Sequence, residues 1–193
     1  MTNDPPIRLL VAGDDATRLA SVGSLLQGYR FVICGETLDG TEAVELAARL
    51  EPDAVVVAGG QPAFDGIEVA TRILAVRSVP IVMVAAAASD MLIDRAVAAG
   101  LFGVLTAPVS GPDLVASLRA ATARHAEFVE SRRQAAALAR TLAERKVIER
   151  AKGVLMAKEG LSETEALRRL RRASQKSGTP MTIIAEVVTA TLE

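Results

Sequence analysis

The chain has 193 residues and half of them are hydrophobic, so it can bury a sizeable core and does not have the composition of a disordered protein. With a formal net charge of −1, one cysteine and one histidine, it has no overall polyelectrolyte character, no internal disulfide and no zinc site built from several Cys and His residues. No apolar run reaches the roughly 18 residues of a membrane span, and no signal peptide opens the chain, so we expect a soluble cytoplasmic protein without membrane contact.

Over the first 125 residues, short apolar runs alternate with segments that have helical spacing. The runs predict strands at Ile7–Ala12, Phe31–Cys34, Ala54–Ala58, Ile81–Ala85 and Gly103–Thr106. The spacing predicts helices at Thr17–Leu26, Thr41–Leu50, Gly66–Val76 and Met91–Ala99. Runs that are apolar throughout are typical of parallel strands covered on both faces. Five such β–α units predict a doubly wound α/β domain, whose ligand crevice lies at the carboxyl ends of the strands.

The residues around those strand ends resemble a response-regulator receiver domain, which has a flavodoxin-like fold. The matching stretches are Leu10–Asp15, Pro52–Ala58, Pro62–Gly66 and Gly103–Pro108. The resemblance implies a Mg²⁺ site made by acids after the first strand and by an aspartate that ends the third strand and accepts a phosphoryl group. It also implies a Thr or Ser after the fourth strand and a Lys after the fifth, both contacting the phosphate.

Most of this phosphorylation chemistry is missing from the matching positions. The acceptor, hydroxyl and lysine positions hold Ala58, Ala85 and Ala107. Gly13 takes the first acidic position and leaves Asp14, with Asp15 beside it. Phosphoryl transfer needs a carboxylate nucleophile and a cation, and two adjacent carboxylates alone are a poor Mg²⁺ site. We therefore predict a degenerate receiver, or pseudoreceiver, with no phosphoacceptor, no metal site, no cofactor and no catalytic residues, so that the protein is not an enzyme.

Two other aspartates are poor substitutes for the acceptor. Asp65 lies seven positions past the acceptor site, and its pairing with Gly66 is typical of a polar turn residue. Asp53 precedes the third strand, so we expect it at the opposite end of the sheet.

A long helix is predicted from Pro112 to about Lys158. This segment is rich in Ala, Leu, Arg and Glu, and Pro112 suits the first helical turn. The residues Phe128, Ala135, Leu138 and Leu142 approximate a heptad seam, which Arg132 and Lys146 interrupt. The pattern favours a short parallel coiled coil and a homodimer. A helix that folds back on its own domain is the alternative.

Two further helices follow and complete a small three-helix unit. Ser162 and Glu165 have the spacing of a capping box, and Gly160 suits the end of the preceding helix. An apolar stripe consists of Ala166, Leu167, Leu170 and Ala173. Gly178 is expected to end this helix, and Thr179-Pro180 to open the third.

The stretches Val147–Met156, Gly160–Ser162 and Glu165–Arg171 resemble an ANTAR domain. The resemblance implies an RNA-binding module of transcription antitermination regulators of the AmiR and NasR type, in which the module binds tandem hairpins with hexaloops in leader RNA. Such regulators commonly dimerise through the helix before the module. The domains expected here are a pseudoreceiver at 7–122, a connecting helix at 112–145 and an ANTAR domain at 138–193.

The charge distribution agrees with this division. Residues 1–125 carry 9 basic and 14 acidic side chains, whereas residues 140–180 carry 11 basic and 5 acidic ones. A basic surface of this kind neutralises nucleic-acid phosphates, although arginines on an ordinary solvated helix give the same totals. The residues predicted to bind RNA are Lys146, Arg150, Lys152, Arg168, Arg169, Arg171, Arg172 and Lys176. Among them Lys152 is the foremost single candidate.

Three functions remain open at this point. The first is an RNA-binding antiterminator whose pseudoreceiver is controlled by a regulatory protein or by a ligand. The second is a DNA-binding regulator that places a helix in the major groove. The third is a protein-interaction scaffold without nucleic-acid binding.

Overall fold

The structure is a computed structural model that describes residues 5–59 and 64–192. The chain divides into two compact units, Met1–Val129 and Glu130–Glu193. The first two residues of the Pro62–Gly66 match lie outside the described residues. In the part of the chain that is described, every helix is too short or too polar to cross a bilayer.

The first unit is built on one parallel sheet of five strands with the order β2-β1-β3-β4-β5. The strands are β1 (Ile7–Gly13), β2 (Phe31–Thr37), β3 (Ala54–Ala58), β4 (Ile81–Ala85) and β5 (Gly103–Thr106). The predicted bounds of β3, β4 and β5 are confirmed. The prediction for β2 was three residues too short, because β2 is an edge strand whose last residues, Glu36 and Thr37, are polar but still pair with β1.

Four helices follow the strands of this sheet: α1 (Ala16–Leu25), α2 (Gly40–Leu50), α3 (Gly66–Val76) and α4 (Asp90–Ala98). Each begins after a polar residue whose side chain accepts hydrogen bonds from the first backbone N–H groups, and these N-caps are Asp15, Asp39, Asp65 and Ser89. The cap satisfies donors that have no partner within the helix, which explains why the helices begin at these residues.

Both faces of the sheet are covered. Leu10 and Val55 pack with α2 and α3 on one face. Leu9 and Val56 pack on the other face with α1 and with the start of the helix that follows β5 and begins at Gly111. All five residues of β3 are buried, as its continuous apolar run predicts. The doubly wound architecture is therefore confirmed.

A single helix, α5 (Gly111–Glu159), contains the boundary between the two units. Its first turns bury Leu114 and Leu118 in the core of the first unit. Further along, Leu138 and Leu142 are 67% and 60% exposed. The predicted long helix is confirmed to within one residue at each end.

The second unit consists of the distal part of α5 together with α6 (Glu163–Ser177) and α7 (Met181–Leu192). The predicted capping box is present, because Ser162 and Glu165 exchange side-chain and backbone hydrogen bonds. Gly160 and Gly178 follow α5 and α6 with φ of 67°, a left-handed conformation that glycine adopts without strain. The fully buried core is small and consists of Ala151, Leu155, Ala166, Leu170 and Ala185.

Candidate functional sites

The exposed side of α6 carries a dense group of cations. We call Arg168, Arg169, Arg171, Arg172 and Lys176, all of them exposed, the α6 basic face. The helix turns its small apolar stripe, including Ala166 and Leu170, into the core of the second unit. Since this stripe uses only small and aliphatic side chains, most of the circumference of α6 remains available to charged residues.

One member of this face makes a contact within the second unit. The Arg169 guanidinium donates to the carboxylate of Glu159 at the end of α5, and its side chain stays 55% exposed. Lys146 and Arg150, two more of the predicted residues, are exposed on α5 one helical turn apart. Seven of the eight predicted RNA-binding residues are thus at the surface of the second unit.

Lys152 has a different environment from the other seven. Its side chain is only 6% exposed, and its Nζ donates to the Glu149 carboxylate at 2.9 Å and to Glu163 Oε1 at 2.7 Å. The hydrogen bonds that Lys152 donates to Glu163 and, to a smaller extent, to Glu149 raise the pKa of Lys152, and the bond to Glu163 lowers the pKa of Glu163. The ammonium therefore joins α5 to the first residue of α6 and does not extend into solvent.

In the first unit, a cleft of about 640 Å³ opens at the carboxyl ends of the strands. Ala58 ends β3, Ala85 ends β4 and Ala107 follows β5, and all three line this cleft. The rest of the lining comes from α1, from Val84 and Ala86 on either side of Ala85, from the loop after β5 and from the start of α5. The structure thus brings together the three alanines that the sequence analysis assigned to the acceptor, hydroxyl and lysine positions.

Gly13, which the sequence analysis assigned to the first acidic position, has no room for a side chain. A Cβ atom on Gly13 would lie 2.5 Å from the backbone oxygen of Ala58 and 2.6 Å from Leu19 Cδ1. Both distances are shorter than a real Cβ contact, and the nearer atom belongs to the backbone. An acid at this position would therefore require β1, β3 or α1 to shift.

The two acids next to Gly13 are both engaged. Asp14 Oδ1 accepts from Arg18 Nη1 at 3.0 Å, and the side chain of Asp14 is 7% exposed. Asp15 caps α1, and the N–H groups of Arg18 and Thr17 lower the pKa of its carboxyl. Arg18 was not singled out from the sequence, although its i,i+4 spacing from Asp14 is a signal for this ion pair. Within the described residues, no group of three or more potential ligands could hold a metal ion.

The other two aspartates have structural partners. Asp65 caps α3 and pairs with Arg95 at 2.5 Å, and this contact with Arg95 is the main reason that the pKa of Asp65 is lowered. Asp53 Oδ2 accepts from the backbone N–H of Arg8 at 2.8 Å, near the start of β1. The prediction that Asp53 lies at the opposite end of the sheet is therefore confirmed.

Comparison with known families identifies both units. The response regulator receiver domain matches residues 9–119, and the ANTAR domain matches residues 136–188. The chain therefore belongs to the response regulators that carry an ANTAR domain.

Curated relatives support this assignment. The transcriptional regulatory protein PdtaR of Mycobacterium tuberculosis is 37% identical over 187 residues, which cover 97% of this chain and 91% of PdtaR. The transcriptional regulatory protein AfsQ1 of Streptomyces coelicolor is 32% identical over 120 residues, which cover 62% of this chain and 52% of AfsQ1. The alignment with PdtaR, a transcriptional regulatory protein, spans both units.

Solved structures resemble the receiver part. The signal receiver domain of a modulated diguanylate cyclase from Desulfovibrio desulfuricans G20 is 28% identical with a TM-score of 0.58, covering 65% of this chain and 99% of that domain. The response regulator domain of Thermotoga maritima CheB is 25% identical with a TM-score of 0.55, covering 61% of this chain and 96% of that domain. The flavodoxin-like fold is thereby established for this part of the chain.

Proposed function

We propose that this protein is a transcription antitermination regulator that binds hairpin loops of leader RNA through its ANTAR domain, without control by phosphorylation. The observation that carries the proposal is the α6 basic face on a domain of the ANTAR family. The homology to PdtaR supports the coarser part of the proposal, a regulator of transcription.

The composition of the α6 basic face determines how RNA would be bound. Five cations lie within nine residues of one helix, from Arg168 to Lys176. If each neutralises one phosphate, the logarithm of the affinity falls with the logarithm of salt concentration with a slope of about −3.5. No Phe, Tyr or Trp follows Phe128 in the sequence. Stacking on unpaired loop bases therefore falls to the guanidinium planes of the arginines.

Lys152 has an indirect role in this proposal. Its ammonium is buried between Glu149 and Glu163, so it holds the start of α6 against α5. Arg168 lies less than two turns after Glu163 on the same helix, so the ion pairs fix the position from which the basic face begins. Lys152 is thus a positioning residue for the RNA-binding surface.

The environment of the strand ends supports a receiver that does not accept phosphate. Ala58, Ala85 and Ala107 supply neither a nucleophile nor a charge or hydroxyl for the phosphoryl group. Gly13 cannot be replaced by an acid without backbone movement, and Asp14 is paired with Arg18. Control of the protein then comes from a partner protein or a ligand that binds the receiver.

The exposed leucines of α5 support a homodimer. Leu138 and Leu142 are spaced i,i+4 and are both more than half exposed in the single chain. In a parallel coiled coil the same residues of a second chain would cover them. Phe128, 49% exposed, extends the same seam into the part of α5 that belongs to the first unit.

Titration of labelled leader RNA tests the proposed function. The ligands are a double-hexaloop RNA, the same RNA with mutated loops, and duplex DNA, each at two salt concentrations. We expect selective binding of the intact loops, weakened by salt, and a loss of about 1–3 kcal/mol for the double variant Arg171→Ala, Arg172→Ala. Arg119→Ala, which removes an exposed cation from the other unit, is the matched control and should leave the affinity unchanged.

The other outcomes contradict the proposal in distinguishable ways. Equal or tighter binding of duplex DNA would favour a DNA-binding regulator. The absence of salt-sensitive binding to any nucleic acid would favour a protein-interaction scaffold.

A further inference from the structure

The cleft at the strand ends has the size and the surface of a binding site for a small molecule. Its volume of about 640 Å³ lies within the range of about 300–1,000 Å³ that is typical of ligand pockets. Eleven of the fifteen described lining residues are apolar, and the other four are Thr17, Arg18, Ser21 and Ser24. Where a receiver has an aspartate, a hydroxyl residue and a lysine, this cleft has three methyl groups, so the space is apolar.

The two serine hydroxyl groups in the lining can accept hydrogen bonds but have already used their protons. Ser21 Oγ donates to the Thr17 carbonyl at 2.7 Å, and Ser24 Oγ donates to the Ala20 carbonyl at 3.0 Å. A serine hydroxyl has one donor and two acceptor lone pairs. The groups that remain on these two side chains are acceptors.

The carboxylate next to the cleft also has an unused acceptor. Asp14 contacts two lining residues, because its N–H donates to the Ala58 carbonyl at 3.2 Å and its Oδ1 accepts from Arg18. Its second oxygen, Oδ2, is buried and has no partner among the described residues. Because Asp14 is not one of the described lining residues and Oδ2 is buried, the acceptors that a ligand meets in the cleft are the oxygens of Ser21 and Ser24.

Charge restricts the ligand further. Arg18 is the one charged side chain among the described lining residues, and its guanidinium is paired with Asp14 and close enough to Asp15 to interact with its charge. The local balance of these three groups is negative. An anionic ligand would therefore meet a cation that is already neutralised and would lie near the two carboxylates behind it.

We propose that the cleft binds a compact apolar molecule, aromatic or branched aliphatic, that carries a hydrogen-bond donor and no negative charge. Phenols and indoles have this chemistry. The site would supply the input signal that phosphorylation supplies in other receivers, and this role as a signal rests on the proposed function. The ligand would contact the strand ends through Ala58 and Ala85 and the first turn of α5 through Leu114.

Titration of the full chain, with ¹³C-labelled alanine methyl groups, tests the site. The probes are indole, phenol, benzoate and inorganic phosphate. We expect saturable shifts of the Ala58, Ala85 and Ala107 methyl signals with indole and phenol, at least tenfold weaker binding of benzoate, and no saturable shift with phosphate. Alanines away from the cleft, such as Ala136, should not respond.

A pair of matched variants separates the cleft from nonspecific binding. Ala20 is an exposed alanine of α1 that lines the cleft, whereas Ala75 is an exposed alanine of α3 that does not. Ala20→Leu should weaken indole binding at least tenfold because the longer side chain occupies the cleft, and Ala75→Leu should not change it.

Three results would overturn the inference: no saturable shift at these methyl groups, an unchanged affinity in Ala20→Leu, or a preference for benzoate or phosphate. Because the titration contains no RNA, a failure of RNA binding would leave its result intact, and the two proposals can fail separately.

Discussion

Leu170 is predicted to be indispensable for the fold of the second unit. It is fully buried in a cluster in which only Leu155 and Leu170 are large, and the other three buried members are alanines. Leu→Ala substitution at such a site costs about 2–5 kcal/mol through lost burial and the cavity left behind. A unit the size of Glu130–Glu193 is stabilised by about 3–10 kcal/mol, at about 0.05–0.15 kcal/mol per residue. Leu170→Ala should therefore remove a large part of its stability.

Hydrogen exchange of the full chain, together with urea denaturation, measures this effect. We expect Leu170→Ala to lose amide protection in α6 and α7 while β1 and β3 keep theirs. The control is Val187→Ala, which truncates a side chain of the same unit that is 57% exposed and should change stability by less than about 1 kcal/mol. RNA affinity should fall in Leu170→Ala although no charge has been removed.

Either of two results would contradict the predicted role of Leu170 in the small core. One is a loss of stability in Leu170→Ala no larger than that in Val187→Ala. The other is a loss of protection that falls on the sheet of the first unit.

Three further predictions concern charged groups and the altered receiver site. Lys152→Met should lower the melting temperature of the second unit and weaken RNA binding without changing the salt slope of the affinity. Arg172→Ala, by contrast, should reduce the magnitude of that slope by about 0.7. Equal salt slopes in titrations of the two variants would contradict the positioning role of Lys152. Ala58→Asp should still form no aspartyl phosphate with acetyl phosphate and Mg²⁺, and detection of the phosphoprotein would contradict this prediction. Gly13→Asp should lower the free energy of unfolding in urea by about 1–3 kcal/mol, because its Cβ would lie 2.5 Å from the Ala58 oxygen. An unchanged free energy of unfolding in Gly13→Asp would contradict the crowding at this position. The contact with Arg95 holds the pKa of Asp65 below its ordinary value of 3.8, so the ionised Asp65 stabilises the folded state at pH values above 3.8. This contribution is lost as the pH falls through the lower pKa of the folded state. Asp65→Asn keeps a helix cap, and the stability of the first unit in this variant should depend less steeply on pH in that acidic range than in the wild type.

The sequence predicted most of the fold because its local signals agree with one another. The continuous apolar runs marked β3 and β4, and the capping box at Ser162 and Glu165 marked the start of α6. The strand β2 was underestimated because polarity misleads at a sheet edge, where Glu36 faces solvent while its backbone still pairs. Periodicity describes burial, and burial of side chains is incomplete at an edge strand.

The sites were less accessible from the sequence because they depend on residues that are distant along the chain. Lys152 looks like a solvated cation on α5, and only the fold brings Glu163, eleven residues later, within 2.7 Å of its ammonium. At Gly13 the sequence indicates a missing acid, whereas the structure adds that no side chain fits. Alanines at three strand ends indicate lost polar groups, but whether the space closes or stays open as a cleft depends on packing.

The most direct test of the account measures the affinity for double-hexaloop RNA before and after treatment of the protein with acetyl phosphate and Mg²⁺. Mass spectrometry of the same sample would report phosphorylation as an adduct of about 80 Da. We predict tight, loop-dependent binding that is the same in both samples, and no adduct. An aspartyl phosphate that changes the affinity, or RNA binding that does not depend on the loops, would contradict the central claim.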